Sequence, residues 1–118
     1  MTDNFDPSLA PYINAVVAKK ASNIVMLDIR ELTSVADVFI ICTGHSTRQV
    51  NAIAQQIKTD LKKENIYPLS MEGEEDGHWV LIDYGHVTIH VFYEIMRSFY
   101  DLEGLWIDAE RTEIESVV

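Results

Sequence analysis

Trp79-Val-Leu-Ile-Asp-Tyr-Gly-His-Val-Thr-Ile-His-Val-Phe92 is the stretch whose reading decides the fold. Two strand-like runs, Trp79–Tyr84 and Val87–Phe92, flank Gly85-His86. Glycine at the first central position suits a two-residue hairpin with a type II′ turn. That register sets Tyr84 opposite Val87, Ile82 opposite Ile89 and Val80 opposite Val91. The face is almost wholly apolar and reads as core. The other face pairs Trp79 with Phe92, Leu81 with His90 and Asp83 with Thr88. Two large aromatics, a carboxylate and an imidazole are unusual in plain core and suggest a site or a contact. The alternative for Trp79 is packing beneath a C-terminal helix, because sheets often bury both faces.

Upstream, Val38-Phe-Ile-Ile-Cys42 is apolar throughout and rich in β-branched residues, which suits a central strand buried on both faces. Ile24–Ile29 reads as a second strand, joined to it by a polar connection at 31–36. Ser46-Thr-Arg-Gln49 has the form of a capping box after Gly44. Val50, Ile53, Ala54, Ile57 and Leu61 then mark one face of a helix over 47–64. Nearer the start, Ser8 can cap a helix with Pro11 in its first turn, running to about Ala21. Ile66–Met71 could form a strand, with Pro68 arguing for an edge. Glu72–Gly77 is an acidic turn. After Glu94 the pattern turns helical through Ile95, Met96, Phe99, Tyr100, Leu102, Leu105 and Trp106. The order predicts a single α/β domain with a mixed, mostly five-stranded sheet flanked by helices. Its expected limits are 8–107, between a flexible N-terminus at 1–7 and an acidic tail at 108–118.

The 118 residues carry a formal net charge of −10, and the charge is lopsided. Residues 1–70 hold seven acids and seven bases, whereas residues 71–118 hold twelve acids and two bases, Arg97 and Arg111. No basic run exceeds a pair, which argues against direct binding of nucleic acid, DNA included, and against anionic membrane surfaces. Net charge alone can serve solubility, or the acidic half can meet a basic partner. Cys42 is the sole cysteine, so no internal disulfide can form. The acidic start lacks a basic n-region and an apolar stretch, and no run approaches a membrane span. The expected home is a reducing cytoplasm.

Candidate chemistry is sparse. The Gly44-His45-Ser46 turn could present N–H groups to an anion, although ordinary strand-to-helix turn chemistry is the better account of one Gly with a Ser cap. A nucleotidyltransferase would need such a turn plus two alternating carboxylates for a divalent metal. Asp83 is the nearest acid, and Gly85 stands where its partner should be. His78, His86 and His90 lack metal-ligand spacing, so neither metal nor cofactor is expected. Cys42 ends an apolar strand, where thiols are usually inert, and no acid near His45 is evident. Arg97 and Asp101 are four apart and could pair on a helix.

Three segments together resemble the Iojap family, the ribosomal silencing factors. Ala36-Asp-Val-Phe-Ile-Ile-Cys-Thr-Gly-His-Ser-Thr-Arg-Gln-Val50 is similar to its opening motif, Trp79–Phe92 to its second and Arg97-Ser-Phe-Tyr-Asp-Leu-Glu-Gly-Leu-Trp106 to its third. Gln49 stands where many members have His, and Gly104 where a larger residue is common. The resemblance implies a nucleotidyltransferase-like fold without the transferase chemistry. It implies binding to the large ribosomal subunit through the ribosomal protein called L-fourteen, obstructing small-subunit joining when nutrients are short. The contact set expected on this reading is Trp79, Leu81, Asp83, His90 and Phe92, extended by Arg97 and Tyr100. A homodimer through the same face is an alternative use. The rival is a diverged nucleotidyltransferase using Gly44, Ser46 and Asp83.

Overall fold

A computed structural model describes residues 6–18 and 21–114. The chain runs through a 3₁₀ turn (Pro7–Leu9), α1 (Ala10–Val17), β1 (Ser22–Asp28), β2 (Val38–Gly44), α2 (Thr47–Lys62) and β3 (Ser70–Glu72). It continues through β4 (Trp79–Asp83), β5 (Val87–Tyr93), α3 (Glu94–Tyr100), α4 (Leu102–Leu105) and β6 (Glu110–Ile114). The strand order is β3-β4-β5-β2-β1-β6. Only β2 and β5 run parallel; the other four pairings are antiparallel. A parallel neighbour needs a long crossover, and α2 lies within it. The sheet is therefore mixed, with fully buried β2 inside it, as the apolar run predicts.

The hairpin has the predicted register. Trp79 pairs with Phe92, Leu81 with His90 and Asp83 with Thr88. Gly85 has φ +91° while His86 keeps a negative φ, the pattern a type II′ turn requires. The apolar face, Val80, Ile82, Tyr84, Val87, Ile89 and Val91, packs into the main core with Val50, Ile53, Ala54, Ile57 and Leu61 of α2. A second core lies on the opposite face of the sheet: Val25, Leu27, Phe39, Ile41 and Phe92 beneath Leu102, with Met96 and Trp106 at its margin. Both sheet faces are thus covered, one by α1 and α2, the other by α3 and α4.

Several local expectations need correction. The first helical turn is capped by Asp6, whose carboxylate accepts from the Ser8 N–H at 3.0 Å, rather than by Ser8. Its helix ends at Val17, not Ala21, which instead lies buried just ahead of β1. Ser46 caps α2 as predicted, accepting from the Gln49 N–H at 3.0 Å. The Gln49 side chain closes the box on the His45 N–H, one residue earlier than the usual pattern. The Ile66–Met71 strand shrinks to β3, at the edge where Pro68 implied it would be.

The largest difference is a sixth strand. Glu110–Ile114, expected within a loose tail, pairs antiparallel with β1. Its side chains are mostly exposed, so it shows no apolar run. Backbone ladder bonds hold it, together with an Arg111–Glu103 ion pair at 2.7 Å. The remaining tail residues, 115–118, lie outside the described residues, as do 1–5 of the expected flexible N-terminus.

Candidate docking face

The mixed face of the hairpin carries a connected aromatic chain. Trp79 stacks on Phe92, 4.9 Å between ring centroids, and Tyr100 of α3 leans on Trp79 at 4.9 Å. Phe99 meets Tyr100 edge-on at 5.2 Å. The chain therefore runs from the buried sheet surface out to solvent. Trp79 Nε1 donates to His90 Nδ1 at 3.0 Å. An accepting Nδ1 puts the ring proton of neutral His90 on Nε2. Burial pushes the His90 pKa down to about 3, so the ring is neutral near pH 7. The Phe39 ring lies 4.6 Å from it, edge-on. Held this way, His90 orients Trp79 from beneath.

The seven expected contact residues therefore divide. Tyr100 is exposed, and Trp79 and Leu81 are half-buried at the surface. Phe92 and His90 are buried and can only support those above them. Asp83 accepts from the Gly85 N–H at 2.7 Å and so stiffens the turn. Arg97 is a clamp. Its Nε and Nη2 hold both Glu103 oxygens at 2.7 and 3.2 Å. Its Nη1 donates to the Asn23 carbonyl at 2.6 Å and to Thr43 Oγ1 at 2.7 Å. The expected pairing with Asp101 does not form. Asp101 takes up a left-handed conformation, φ +47°, which ends α3, and its side chain accepts from the Gly104 N–H. A Cβ at position 104 would collide with that carboxylate, which accounts for glycine there.

Four residues missing from the expected set dominate the surface. Ile95, Phe99, Leu105 and Ile107 are 60%, 75%, 76% and 78% exposed. All lie in or just after the short helices α3 and α4. A signal was present in the sequence. Neighbours such as Ile95-Met96 and Phe99-Tyr100 point to different sides of a helix, so a short helix lying on one sheet cannot bury both. Met96, Leu102 and Trp106 take the inward positions. Soluble monomers seldom expose so many large apolar side chains together unless something docks there. Glu94, Asp101, Glu103, Asp108 and Glu110 are interspersed along the same segment.

The comparison with known proteins decides the family. Residues 2–118 match the family model "Ribosomal silencing factor during starvation". The chain belongs to the ribosomal silencing factor family. It is 43% identical over 106 residues to "Ribosomal silencing factor RsfS" of Halalkalibacterium halodurans, covering 90% of this chain and 91% of that one. It is 43% identical over 97 residues to the Bacillus subtilis protein of the same name, covering 82% of each. The chloroplastic Iojap protein of Zea mays is 30% identical over 95 residues, 80% of this chain but 41% of the longer maize protein. Among solved structures, one from Chromobacterium violaceum superposes with a TM-score of 0.80 at 35% identity, covering 92% of this chain and 91% of its own. One from Bacillus halodurans gives 0.76 at 39% identity, covering 92% and 96%.

In this ribosomal silencing factor fold the residues of the rival constellation lie apart. Asp83 pairs with Thr88, and Thr88 with Phe39, whereas Gly44 is level with Tyr93. Five residues along the strands put Asp83 about 16 Å from the Gly44-Ser46 turn in that direction alone, with the width of two strand spacings in addition. Gly44 has a packing role, since a Cβ there would press on Val50 Cγ2 at 2.9 Å. Cys42 is fully buried and its thiol is pushed up to about 12. The acid absent from the local sequence around His45 comes from elsewhere. Glu94 lies 3.6 Å from His45 Nδ1, and Ser22 Oγ lies 3.3 Å from Nε2. The order resembles a nucleophile–base–acid relay, but 3.6 Å exceeds hydrogen-bond length and His45 and Glu94 are both more than half exposed.

An open groove of about 1170 Å³ adjoins this corner, lined by Asn23, Thr43, Arg97, Glu103, Arg111 and others. Its two arginines are already bound to Glu103. His78 stacks beside Tyr93, whereas His86 meets Tyr12 edge-on. Among the described residues, no group of three His, Cys, Asp or Glu could hold a metal. No helix among them is long and apolar enough to cross a membrane.

Proposed function

We propose that this family member acts without catalysis, by binding the large ribosomal subunit through its L-fourteen protein and sterically blocking the small subunit. Steric block requires only occupancy of one surface. The observation that carries the reading is the exposed apolar segment of α3–α4, in which Phe99 and Tyr100 connect by ring contacts to Trp79 and which continues in Leu105 and Ile107. Aromatic anchors in a polar setting are the usual hot spots of protein interfaces. The acids along the segment would steer a basic ribosomal protein towards it. Repressing translation under nutrient limitation, from the cytoplasm, is the physiological role this reading implies. A homodimer through the same apolar face would cover it in the free protein and compete with docking.

The test is co-sedimentation with purified large subunits in a sucrose gradient. Phe99→Ala/Tyr100→Ala removes two exposed anchors, Phe99 75% and Tyr100 45% exposed; because Tyr100 also packs on Trp79, folding of the variant is checked by circular dichroism first. Each hot-spot truncation costs about 2 kcal/mol or more, so affinity should fall at least about 100-fold. A folded variant that co-sediments normally would place the contact elsewhere. Trp79→Ala is a poorer probe, because Trp79 also stacks on Phe92 and bonds His90.

A further inference from the structure

The outer edge of the sheet carries a feature that docking through α3–α4 leaves unexplained. β6 ends the strand order, so the backbone groups on its far side form no ladder among the described residues. Such an edge is a template for another strand. The opposite edge, β3, is only three residues long. β6 reads Glu110-Arg-Thr-Glu-Ile114, and its residues alternate between the two faces of the sheet. Ile114 packs against the main core, which puts Glu110 and Thr112 on the α1–α2 side. Arg111 reaches Glu103 of α4, which puts Glu113 with it on the other side. Arg111 is only partly committed. Its Nη1 donates to Glu103 at 2.7 Å and its Nε lies 3.6 Å from the Glu113 carboxylate, while Nη2 has no partner among the described residues.

We propose that β6 pairs antiparallel with β6 of a second copy of this chain, about a two-fold axis at Thr112. An axis relating antiparallel neighbours within one continuous sheet stands normal to that sheet. Facing residues then share a face, and the available registers differ in steps of two. Centring on Arg111 sets two guanidinium groups opposite each other, and centring on Glu113 sets two carboxylates opposite. Centring on Glu110 or Ile114 leaves a single residue of each β6 facing the other. Only Thr112 on the axis pairs all five residues. Arg111 then faces the partner subunit's Glu113, Glu113 faces the partner subunit's Arg111, and Glu110 lies opposite Ile114 of the partner subunit. Opposite charges facing across a ladder stabilise it, and like charges oppose it. Charges on an edge strand ordinarily discourage pairing; on β6 they discourage every long register but one. Two chains of charge −10 repel, but the Debye length at physiological salt is about 8 Å, so most of that repulsion is screened. Facing side chains about 5 Å apart are screened less. The association is therefore modest and concentration-dependent. Trp79, on β4, lies four strand spacings from β6, about 19 Å, so the pairing uses residues distinct from that anchor.

Sedimentation equilibrium of the full chain over a wide concentration range reads the self-association. Glu113→Lys sets like charges opposite each other at both symmetry-related places and should weaken the dimer at least about 10-fold. The same substitution exchanges a negative for a positive charge, moving the net charge by +2 from −10 to −8. That change would strengthen any association limited by general repulsion. An unchanged or tighter dimer would therefore overturn the proposal, as would a wild-type chain that stays monomeric throughout. Oxidative cross-linking reads the register. Thr112→Cys places two thiols opposite each other on the axis and should give a covalent dimer. Glu113→Cys is the more exposed position, yet its two thiols lie on the diagonal, about 7–8 Å apart, beyond disulfide reach. It should remain uncrosslinked, and buried Cys42 stays out of the reaction. Any other pattern would overturn the proposal. A dimer broken by Phe99→Ala/Tyr100→Ala but not by Glu113→Lys would also overturn it, placing the second copy on the α3–α4 face instead.

Discussion

Arg97 offers the most exposing perturbation of the architecture behind the docking face. Four donated hydrogen bonds tie α3 to α4, β1 and β2 at once, and Glu103 passes the tie on to β6 through Arg111. Arg97→Met keeps the stem and removes the fork. It leaves the buried Thr43 hydroxyl and the Asn23 carbonyl without this donor, and Glu103 with Arg111 alone. Bonds to a charged group contribute about 1.5–3 kcal/mol each in mutational series. The side chains of Arg97 and Glu103 are 12% and 20% exposed, so solvent screens part of this. The expected loss is about 2–4 kcal/mol. Arg97→Lys should lose about 1–2 kcal/mol, since one ammonium cannot reproduce the planar fork.

The assay is urea unfolding followed by circular dichroism at neutral pH and again in acid. The Arg97 hydrogen bonds hold the Glu103 carboxyl below its ordinary value of 4.5. A depressed carboxyl stabilises the fold above its unfolded pKa and loses that contribution as pH falls through its folded value. The gap between wild type and Arg97→Met should therefore be full at pH 7 and narrow below pH 4.5. An unchanged urea midpoint at pH 7, or a gap that persists undiminished once Glu103 is protonated, would refute the clamp.

Other expectations follow from single residues. Neutral, buried His90 titrates near 3 when folded and near 6.5 when unfolded, so the unfolded state binds more protons between those values. Stability should fall as pH drops from 6.5 towards 3, by up to about 1.4 kcal/mol per pH unit. His90→Gln, which still offers Trp79 an acceptor, should flatten that slope, and an equally steep variant would contradict the assignment. Gly73 has φ +91°, and a Cβ there would collide with the Trp79 carbonyl oxygen. Gly73→Ala should cost about 1–3 kcal/mol from backbone strain alone, with the clash in addition, read as a lower urea midpoint. Cys42 should resist a thiol reagent in the folded protein and react on unfolding, because burial both occludes the thiol and raises its pKa.

How much of this was legible beforehand varies by element for physical reasons. The hairpin register followed from Gly85-His86 and period-two alternation, both local signals. The burial of β2 followed from an unbroken apolar run. β6 was invisible, because an edge strand held by its backbone ladder needs no apolar side chains. The expected contact set is mixed in depth: pairing identified which side chains share a face, and a helix over Trp79 stood only as an alternative, so the burial of Phe92 and His90 was not fixed. Arg97 was read as an i,i+4 partner of Asp101. Its real partners, Asn23 and Thr43, are 74 and 54 residues distant in the chain, and no spacing rule reaches them.

The measurement that tests the central claim most directly is the association of purified small and large subunits, followed by light scattering. Wild-type protein added to large subunits first should suppress the rise in scattering. Phe99→Ala/Tyr100→Ala, shown to be folded, should leave it intact. Normal joining in the presence of bound wild-type protein would contradict steric block, and undiminished suppression by the folded double variant would contradict the assigned face.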